Sequence, residues 1–323
     1  MTRTRVGVIR GGLSNEYDVS LDTGKAVLAH LPERYEPIDI LIDKYGEWYA
    51  HGMLTSPGKI LPFLDVVFNA LHGYYGEDGK IQKLLDRFGV PYTGSGVLAS
   101  ALGMHKGYAK DAFKREGLRT LHYVVLSKKD FSHDAVIKIF RTFPQPSVVK
   151  PVSSGSSVGV TIARNVEELH KGIQLAHEHA SSALVEEYLE GREATCGVLE
   201  NFRGQTYYVL PPTEIIPPDE RFYDYEVKYN GQTRKVCPGN FTREEKDEIM
   251  RMAQGAHKAI GARHYSRSDF IVSRRGIYIL EINTLPGFTK ESSLPKACNA
   301  IGCSFSDLLD HIIGLALKKE LTV

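Results

Sequence analysis

Apolar positions recur along this chain in two rhythms, and the switches between them outline its elements. Val6 to Ile9 is a short apolar run closed by Gly11-Gly12, the pattern of a buried strand. SNEYDVSLDTGKAVLAHL follows with helical spacing, and Pro37 to Ile42 and Val66 to Asn69 are strand-like again. The glycine-rich HGYYGEDG then leads into the helix IQKLLDRFG. Strand, helix, strand, strand, helix over the first ninety-odd residues predicts an open parallel α/β sheet. Ligands of such sheets sit beyond the strand C-termini, where Gly11–Glu16 and His72–Gly79 fall.

A new unit starts near Tyr92. It holds helix GYAKDAFKREG, a strand at Leu121–Leu126, helix HDAVIKIFRTF, and the alternating runs PSVVKPV and SVGVTIA around a Ser/Gly loop. Helix VEELHKGIQLAHEHA and strand ALVEEYL complete it. The remainder is strand-rich to Ile216, passes through a Pro/Tyr segment, and resumes with helix REEKDEIMRMAQGAHKAIG before ending in FSDLLDHIIGLALKK. Mixed α/β and α+β architecture follows, in three interlocked units over 1–95, 96–185 and 186–323.

At 323 residues and 36.0 kDa the chain is long enough for two or three cores. Forty basic against 39 acidic residues, scattered rather than striped, give a net charge of +1, which argues against nucleic-acid and anionic-membrane partners. Cys196, Cys237, Cys298 and Cys303 form no CxxC pair and have no His at zinc spacing, so packed, reduced thiols are expected. No segment approaches 18 apolar residues and the N-terminal run is too short for a signal peptide, so the expected compartment is cytoplasmic.

The densest chemistry lies in RSDFIVSRRGIYILEINTLPG, from Arg267 to Gly287. Ser268–Val272 and Ile277–Ile282 are strands joined by a three-residue loop, Arg274-Arg275-Gly276, with Gly in the left-handed position. Pairing Ser273 with Ile277 puts Asp269 opposite Glu281, and Asn283, two residues on, shares the face. One Asp–Glu pair is more often a solvated surface turn; Asn and Arg at matching spacing reverse that balance. Three oxygen donors without His or Cys suit Mg²⁺ or Mn²⁺, which keep waters and bind phosphate oxygens.

Val148 to Val160, VVKPVSSGSSVGV, is the second signal. Lys150 leaves a strand, Pro151 stops it, and Ser153–Ser157 with Gly155 can turn several amides toward one triphosphate. No Gly-Lys-Ser/Thr opens a helix, so this is not a Walker A loop. Glu186-Glu187-Tyr188-Leu189 then precedes Glu193, where extended backbone can meet an adenine edge and a carboxylate the ribose.

Taken in order, GGLSNEYDVS, HGYYGEDG, YTGSGVLASALGMHK, VVKPVSSGSSVGV, VEEYLEGRE, FYDYEVKY, RSDF and LEINTLPGFTKESSLP resemble the signature blocks of the D-alanine–D-alanine ligases, within the ATP-grasp fold, over nearly the whole chain. The resemblance implies an N-terminal Rossmann-like unit followed by two α+β subdomains that clasp ATP, and two Mg²⁺ (or Mn²⁺) ions on Asp269, Glu281 and Asn283, with Glu281 bridging. Lys106, Lys150 and Lys228 would touch the phosphates, Ser156 would join them, and Glu186, Glu187, Leu189 and Glu193 would hold adenine and ribose. Glu16 would hold the ammonium of the first D-alanine with His72 lining that pocket, while Ser292 and Ser293 would take the carboxylate of the second. Arg267 and the Gly287 N–H would stabilise the oxyanion, and Ser156 with Tyr229 would link a lid, Pro217–Asn230, to Glu16. It also implies ATP and D-alanine as substrates, a homodimer and a role in peptidoglycan precursor synthesis.

Three places depart from the family pattern, one of them CPGN after the lid. Ser293 stands where Leu is common, and His105 stands where an Asp often precedes the phosphate-facing Lys106. Among rival readings, a D-alanine–D-lactate ligase resembles this family with Phe at the position of Tyr229. A non-catalytic nucleotide-binding regulator would have lost a metal ligand or Arg267, and a dehydrogenase would need GxGxxG where this chain has GGLSNE.

Overall fold

The computed structural model describes residues 3–155, 158–217 and 234–318. Its first sheet runs β4-β3-β2-β1-β5, from β1 (Thr4–Gly11), β2 (Tyr35–Ile42), β3 (Trp48–Ala50), β4 (Met53–Thr55) and β5 (Val66–Asn69). β1 pairs in parallel with both β2 and β5, as the strand–helix alternation predicts. Val6 and Val8 of β1 pack on one face with Val27 of α1 (Tyr17–His30), and Ile9 and Ile40 pack on the other with Ile81 and Leu85 of α3 (Lys80–Phe88). Burial on both faces explains why β1 and β5 are continuous apolar runs, while β2 (YEPIDILI) alternates. The β3–β4 hairpin escaped the sequence reading. Its strands are three residues each, and its turn is His51-Gly52, both at positive φ, where Asn-Gly would have signalled it.

At the C-terminal end of β1 the chain reverses through Gly11 and Gly12, at φ +89° and +97°. The Gly12 N–H donates to the Ile42 carbonyl, and the Gly11 N–H donates to Ser20 Oγ, which itself donates to the Ala70 carbonyl. This clamp fixes the start of α1, and with it Glu16. A Cβ on Gly11 would lie 2.2 Å from the Ile42 carbonyl oxygen at a φ that L side chains avoid. Gly11→Ala is therefore expected to cost about 3 kcal/mol of stability, read as a lower denaturant midpoint at unchanged slope.

The second sheet is antiparallel, in the order β6-β9-β7-β8: β6 (Tyr123–Ser127), β7 (Ser147–Pro151), β8 (Thr161–Ala163) and β9 (Ser182–Glu187). Helices α6 (His133–Thr142) and α7 (Val166–His179) cover one face through Val136, Leu169 and Ile173. The third sheet runs β13-β12-β10-β14-β15, with β11 also on β10: β10 (Arg192–Phe202), β11 (Gln205–Val209), β12 (Thr213–Ile216), β13 (Arg234–Val236), β14 (Tyr265–Ser273) and β15 (Gly276–Asn283). Helices α5 (Lys106–Arg115) and α8 (Arg243–Ala259) bury Phe113, Ile249 and Met252 against Phe270 and Ile279.

After β15 come α9 (Ser293–Ala300) and α10 (Phe305–Leu317), which share a core with Val8 and Phe68 of the first sheet and Leu199 and Tyr265 of the third. All four cysteines are free, three buried and Cys237 partly so. Among the described residues no single helix is long and apolar enough to cross a membrane.

Candidate active site

The antiparallel sheets β6–β9 and β10–β15 face one another across a cavity of about 450 Å³, which also reaches the ends of β1 and β5. Every described residue in the expected site lines it: Glu16, His72, Lys106, Lys150, Glu186, Glu187, Leu189, Glu193, Arg267, Asp269, Glu281, Asn283, Gly287, Ser292 and Ser293. Ser156, Lys228 and Tyr229 lie outside the described residues, as does nearly all of Pro217–Asn230.

The β14–β15 hairpin arrives at the expected face by a different route. Its turn is tighter than a three-residue loop, with Ser273 opposite Gly276 and Val272 opposite Ile277, so the expected Ser273–Ile277 pairing is off by one residue. Gly276 does take positive φ, +113°. A bulge between Asp269 and Phe270, with Leu280 as the extra residue, then cancels the offset and sets Asp269 opposite Glu281 and Arg267 opposite Asn283. Period-two geometry puts these four side chains on one face while Phe270 and Ile282 point into the core, and the bulge turns Ile279 into the core as well. Arg267 grips Asp269 with two hydrogen bonds of 3.1 and 2.9 Å, and Thr195 donates to Asp269 Oδ1 at 2.6 Å.

Cations face that carboxylate row from the other side. Lys106 Nζ lies 3.2 Å from Glu281 Oε2 and donates to the Ser154 carbonyl at 2.6 Å. His105 does what an Asp would do before it: its Nδ1 accepts from the Tyr108 N–H and caps α5, so Lys106 still faces the cavity. Lys150 leaves β7 with its ammonium 2.5 Å from Glu186 Oε2, while Lys110 of α5 pairs with Glu186 Oε1 from below. Burial opposes the Lys150 charge, but Glu186 and then Glu281 outweigh it and hold its pKa above that of an ordinary lysine. Burial likewise opposes the Glu186 charge, and the two ammoniums hold that carboxyl below the usual range.

The Glu186 side chain is thus engaged by lysines rather than open to a base. The neighbouring Glu187 carboxylate pairs with Arg275 of the hairpin turn. β9 has β6 beside it up to Glu186 and β7 up to Glu187, and Tyr188 and Leu189 beyond line the cavity together with Val148, Met104 and Leu121.

At the opposite end, Glu16 opens α1. Its N–H donates to Ser14 Oγ, which donates to the His72 carbonyl. A Cβ on Gly73 or Gly155 would fall 2.7 or 2.5 Å from Glu16 Oε2, so this carboxylate touches both the HGYYGEDG turn and the Ser/Gly loop. His72 is buried between Thr23 Oγ1 (2.9 Å), the Leu285 carbonyl (3.1 Å) and Glu77 Oε1 (3.7 Å). Burial disfavours the charged ring, yet Glu77 and Glu16 outweigh it and raise the His72 pKa. Glu77, also raised chiefly by burial, went unread even though it sits inside HGYYGEDG. Also missed was α9, eight residues with Pro295 in its first turn. Ser292 precedes it, and its Oγ accepts from the Thr289 N–H at 3.0 Å; Ser293, the departure from the family pattern, is its first residue and is 9% exposed.

Two antiparallel sheets closing over lysines on one side and hard oxygen donors on the other define the ATP-grasp class of ATP-dependent ligases. Family models described as the D-ala D-ala ligase N-terminus and C-terminus match residues 5–61 with 52–95, and 112–314. A D-alanine–D-alanine ligase of Geobacter sulfurreducens is 40% identical over 316 residues, 96% of this chain and 93% of that protein. One from Halalkalibacterium halodurans is 38% identical over 322 residues, 98% of this chain and 100% of that one. Among solved structures, the D-Ala:D-Ser ligase VanG of Enterococcus faecalis superposes with a TM-score of 0.86 at 31% identity, covering 98% of this chain and 100% of that one. The D-alanine–D-alanine ligase of Bacillus anthracis complexed with ATP gives 0.80 at 32% identity, covering 98% of both chains. The chain belongs to the D-alanine–D-alanine ligase family.

Proposed function

We infer that the chain joins two D-alanine molecules into D-alanyl-D-alanine, converting ATP to ADP and phosphate and supplying peptidoglycan precursor synthesis. One observation carries this reading. A single cavity has Lys106 and Lys150 facing Asp269, Glu281 and Asn283 at one end, and Glu16 beside His72 at the other. One cavity thus joins cations suited to phosphates to a carboxylate suited to a small ammonium group.

In this reading the adenine lies against the backbone at Glu187–Leu189, Glu193 takes the ribose, and Lys106, Lys150 and Lys228 meet the phosphates together with the loop bearing Ser156. Asp269, Glu281 and Asn283 fit a hard divalent cation, being three oxygen donors on one face, and two Mg²⁺ or Mn²⁺ ions there would neutralise charge on the transferred phosphoryl group. Glu16 orients the first D-alanine through its ammonium, and the carboxylate of that D-alanine attacks the γ-phosphorus to give an acyl phosphate and ADP. The second D-alanine leaves its carboxylate at Ser292–Ser293, at the start of α9 on the cavity wall, and its amine attacks the acyl carbon. Arg267 and the Gly287 N–H steady the oxyanion before phosphate departs. Water would hydrolyse the acyl phosphate, so Pro217–Asn230 closes as a lid tied to Glu16 through Ser156 and Tyr229. Units at 1–95, 96–185 and 186–323, a cytoplasmic setting and a homodimer complete the proposal.

Phosphate release measured with ATP, Mg²⁺ and a panel of D-alanine, L-alanine, D-serine and D-lactate tests the reading. Release with D-alanine alone, together with dipeptide by mass spectrometry, is expected. Release driven best by D-serine or D-lactate would move the acceptor, and none with any of them would remove the activity. Lys150→Met should raise the ATP KM about tenfold or more, through loss of a phosphate-facing charge, while the D-alanine KM stays within about twofold. Unchanged nucleotide affinity by titration calorimetry would make the Ser/Gly loop an ordinary turn.

A further inference from the structure

Lys110 is fully buried, yet it lies on the apolar stripe of α5 among Ala109, Ala112 and Phe113, where an aliphatic side chain would pack without desolvating a charge. Its ammonium reaches Glu186 Oε1 and donates to Thr120 Oγ1 at 2.9 Å. The other Glu186 oxygen holds Lys150. We propose that Lys110 is a positioning residue that neutralises Glu186 from below, so that Lys150 keeps its positive charge for the nucleotide phosphates. The proposal rests on the ligase reading above.

Charge counting within the cluster supplies the reason. One buried carboxylate between two ammoniums leaves a net positive charge, and of the two ammoniums only Lys150 borders the cavity. Without Lys110 the whole charge of Glu186 falls on Lys150, and the pair presents no net charge to an incoming triphosphate. The charged groups that act on Lys110 are Glu186, Lys150 and Glu281. Burial, opposed by Glu186 and reinforced by Lys150, brings its pKa down to about 8, so at neutral pH it still carries its proton. The segment carrying Thr120 also bridges Ile279 of β15, which joins this buried post to the strand bearing Glu281.

The test is a charge cycle on the full chain, with MgATP affinity by calorimetry and both KM values. Lys110→Met should raise the ATP Kd and KM about tenfold, with D-alanine KM within about twofold of wild type. Adding Glu186→Gln to Lys110→Met removes the surplus negative charge and should restore ATP affinity to within about threefold of wild type. A packing role predicts the opposite: both KM values rise and the double variant is worse. Should Lys110→Met fail to fold, Lys110→Gln takes its place: it keeps a hydrogen-bond donor for Thr120 but no charge, and the same tenfold loss of ATP affinity is expected. Unchanged ATP affinity in Lys110→Met or Lys110→Gln, or no recovery in the double variant, overturns the proposal. A wild-type chain that binds ATP but releases no phosphate with D-alanine would instead overturn the ligase reading, and the calorimetric cycle would still decide the role of Lys110.

Discussion

Glu281→Gln is expected to lower dipeptide formation about a thousandfold while leaving the fold intact, because divalent cations held there, as proposed, would supply a Lewis-acid contribution of several kcal/mol that is lost with the charge. Glu281 lies opposite Asp269 on the cavity face of the hairpin, and its carboxylate already draws Lys106 to 3.2 Å. An amide offers one acceptor oxygen and no charge, so it cannot bridge two cations. Circular dichroism and the melting midpoint should match wild type, since the side chain is part-exposed and the core residues beside it are untouched. Wild-type turnover by this variant would contradict the metal assignment.

Arg267→Met should act on a later step. The guanidinium grips Asp269 on the same face, and Gly287 lines the same cavity. Losing one donor aimed at a developing oxyanion costs about a hundredfold to a thousandfold in kcat, with ATP affinity little changed. Asp269 would retain Thr195 as a partner, at 2.6 Å, so the metal face should survive. A variant that lost MgATP affinity and kept kcat would place Arg267 with the nucleotide instead of the acyl centre.

The sequence reading of the hairpin shows both what pattern can see and what it cannot. Period-two alternation identified the functional face because Asp269 falls opposite Glu281, Asn283 shares the face of Glu281, and their neighbours Phe270 and Ile282 are buried. It fails at Ile279, which is buried although two residues from Glu281, because Leu280 is the bulge. The tighter turn and the bulge at Leu280 are equal and opposite register errors, and a count along the chain passes through both unnoticed. Long amphipathic helices such as Val166–His179 and Arg243–Ala259 were legible because several turns repeat the same stripe. The three-residue strands at Trp48 and Met53, and the short helix after Ser292, repeat nothing.

Much of the candidate site was carried by resemblance, since no spacing rule brings Glu16 against Gly155, residues 139 apart in the chain. Lys110 carried a local signal that went unused: a lysine one turn after Lys106, set among small and aromatic residues on the inward face of its helix. Glu77 and Thr195 act through His72 and Asp269, and partners of that kind declare themselves only once the backbone has placed them.

The most direct measurement follows oxygen rather than rate. D-alanine carrying oxygen-18 in its carboxylate is incubated with the enzyme, ATP and Mg²⁺, and the released phosphate and dipeptide are analysed by mass spectrometry. Attack of the carboxylate on the γ-phosphorus predicts one labelled oxygen in each phosphate and one retained in the amide carbonyl. Dipeptide formed with unlabelled phosphate would contradict the acyl phosphate route, and phosphate released without dipeptide would contradict ligation itself.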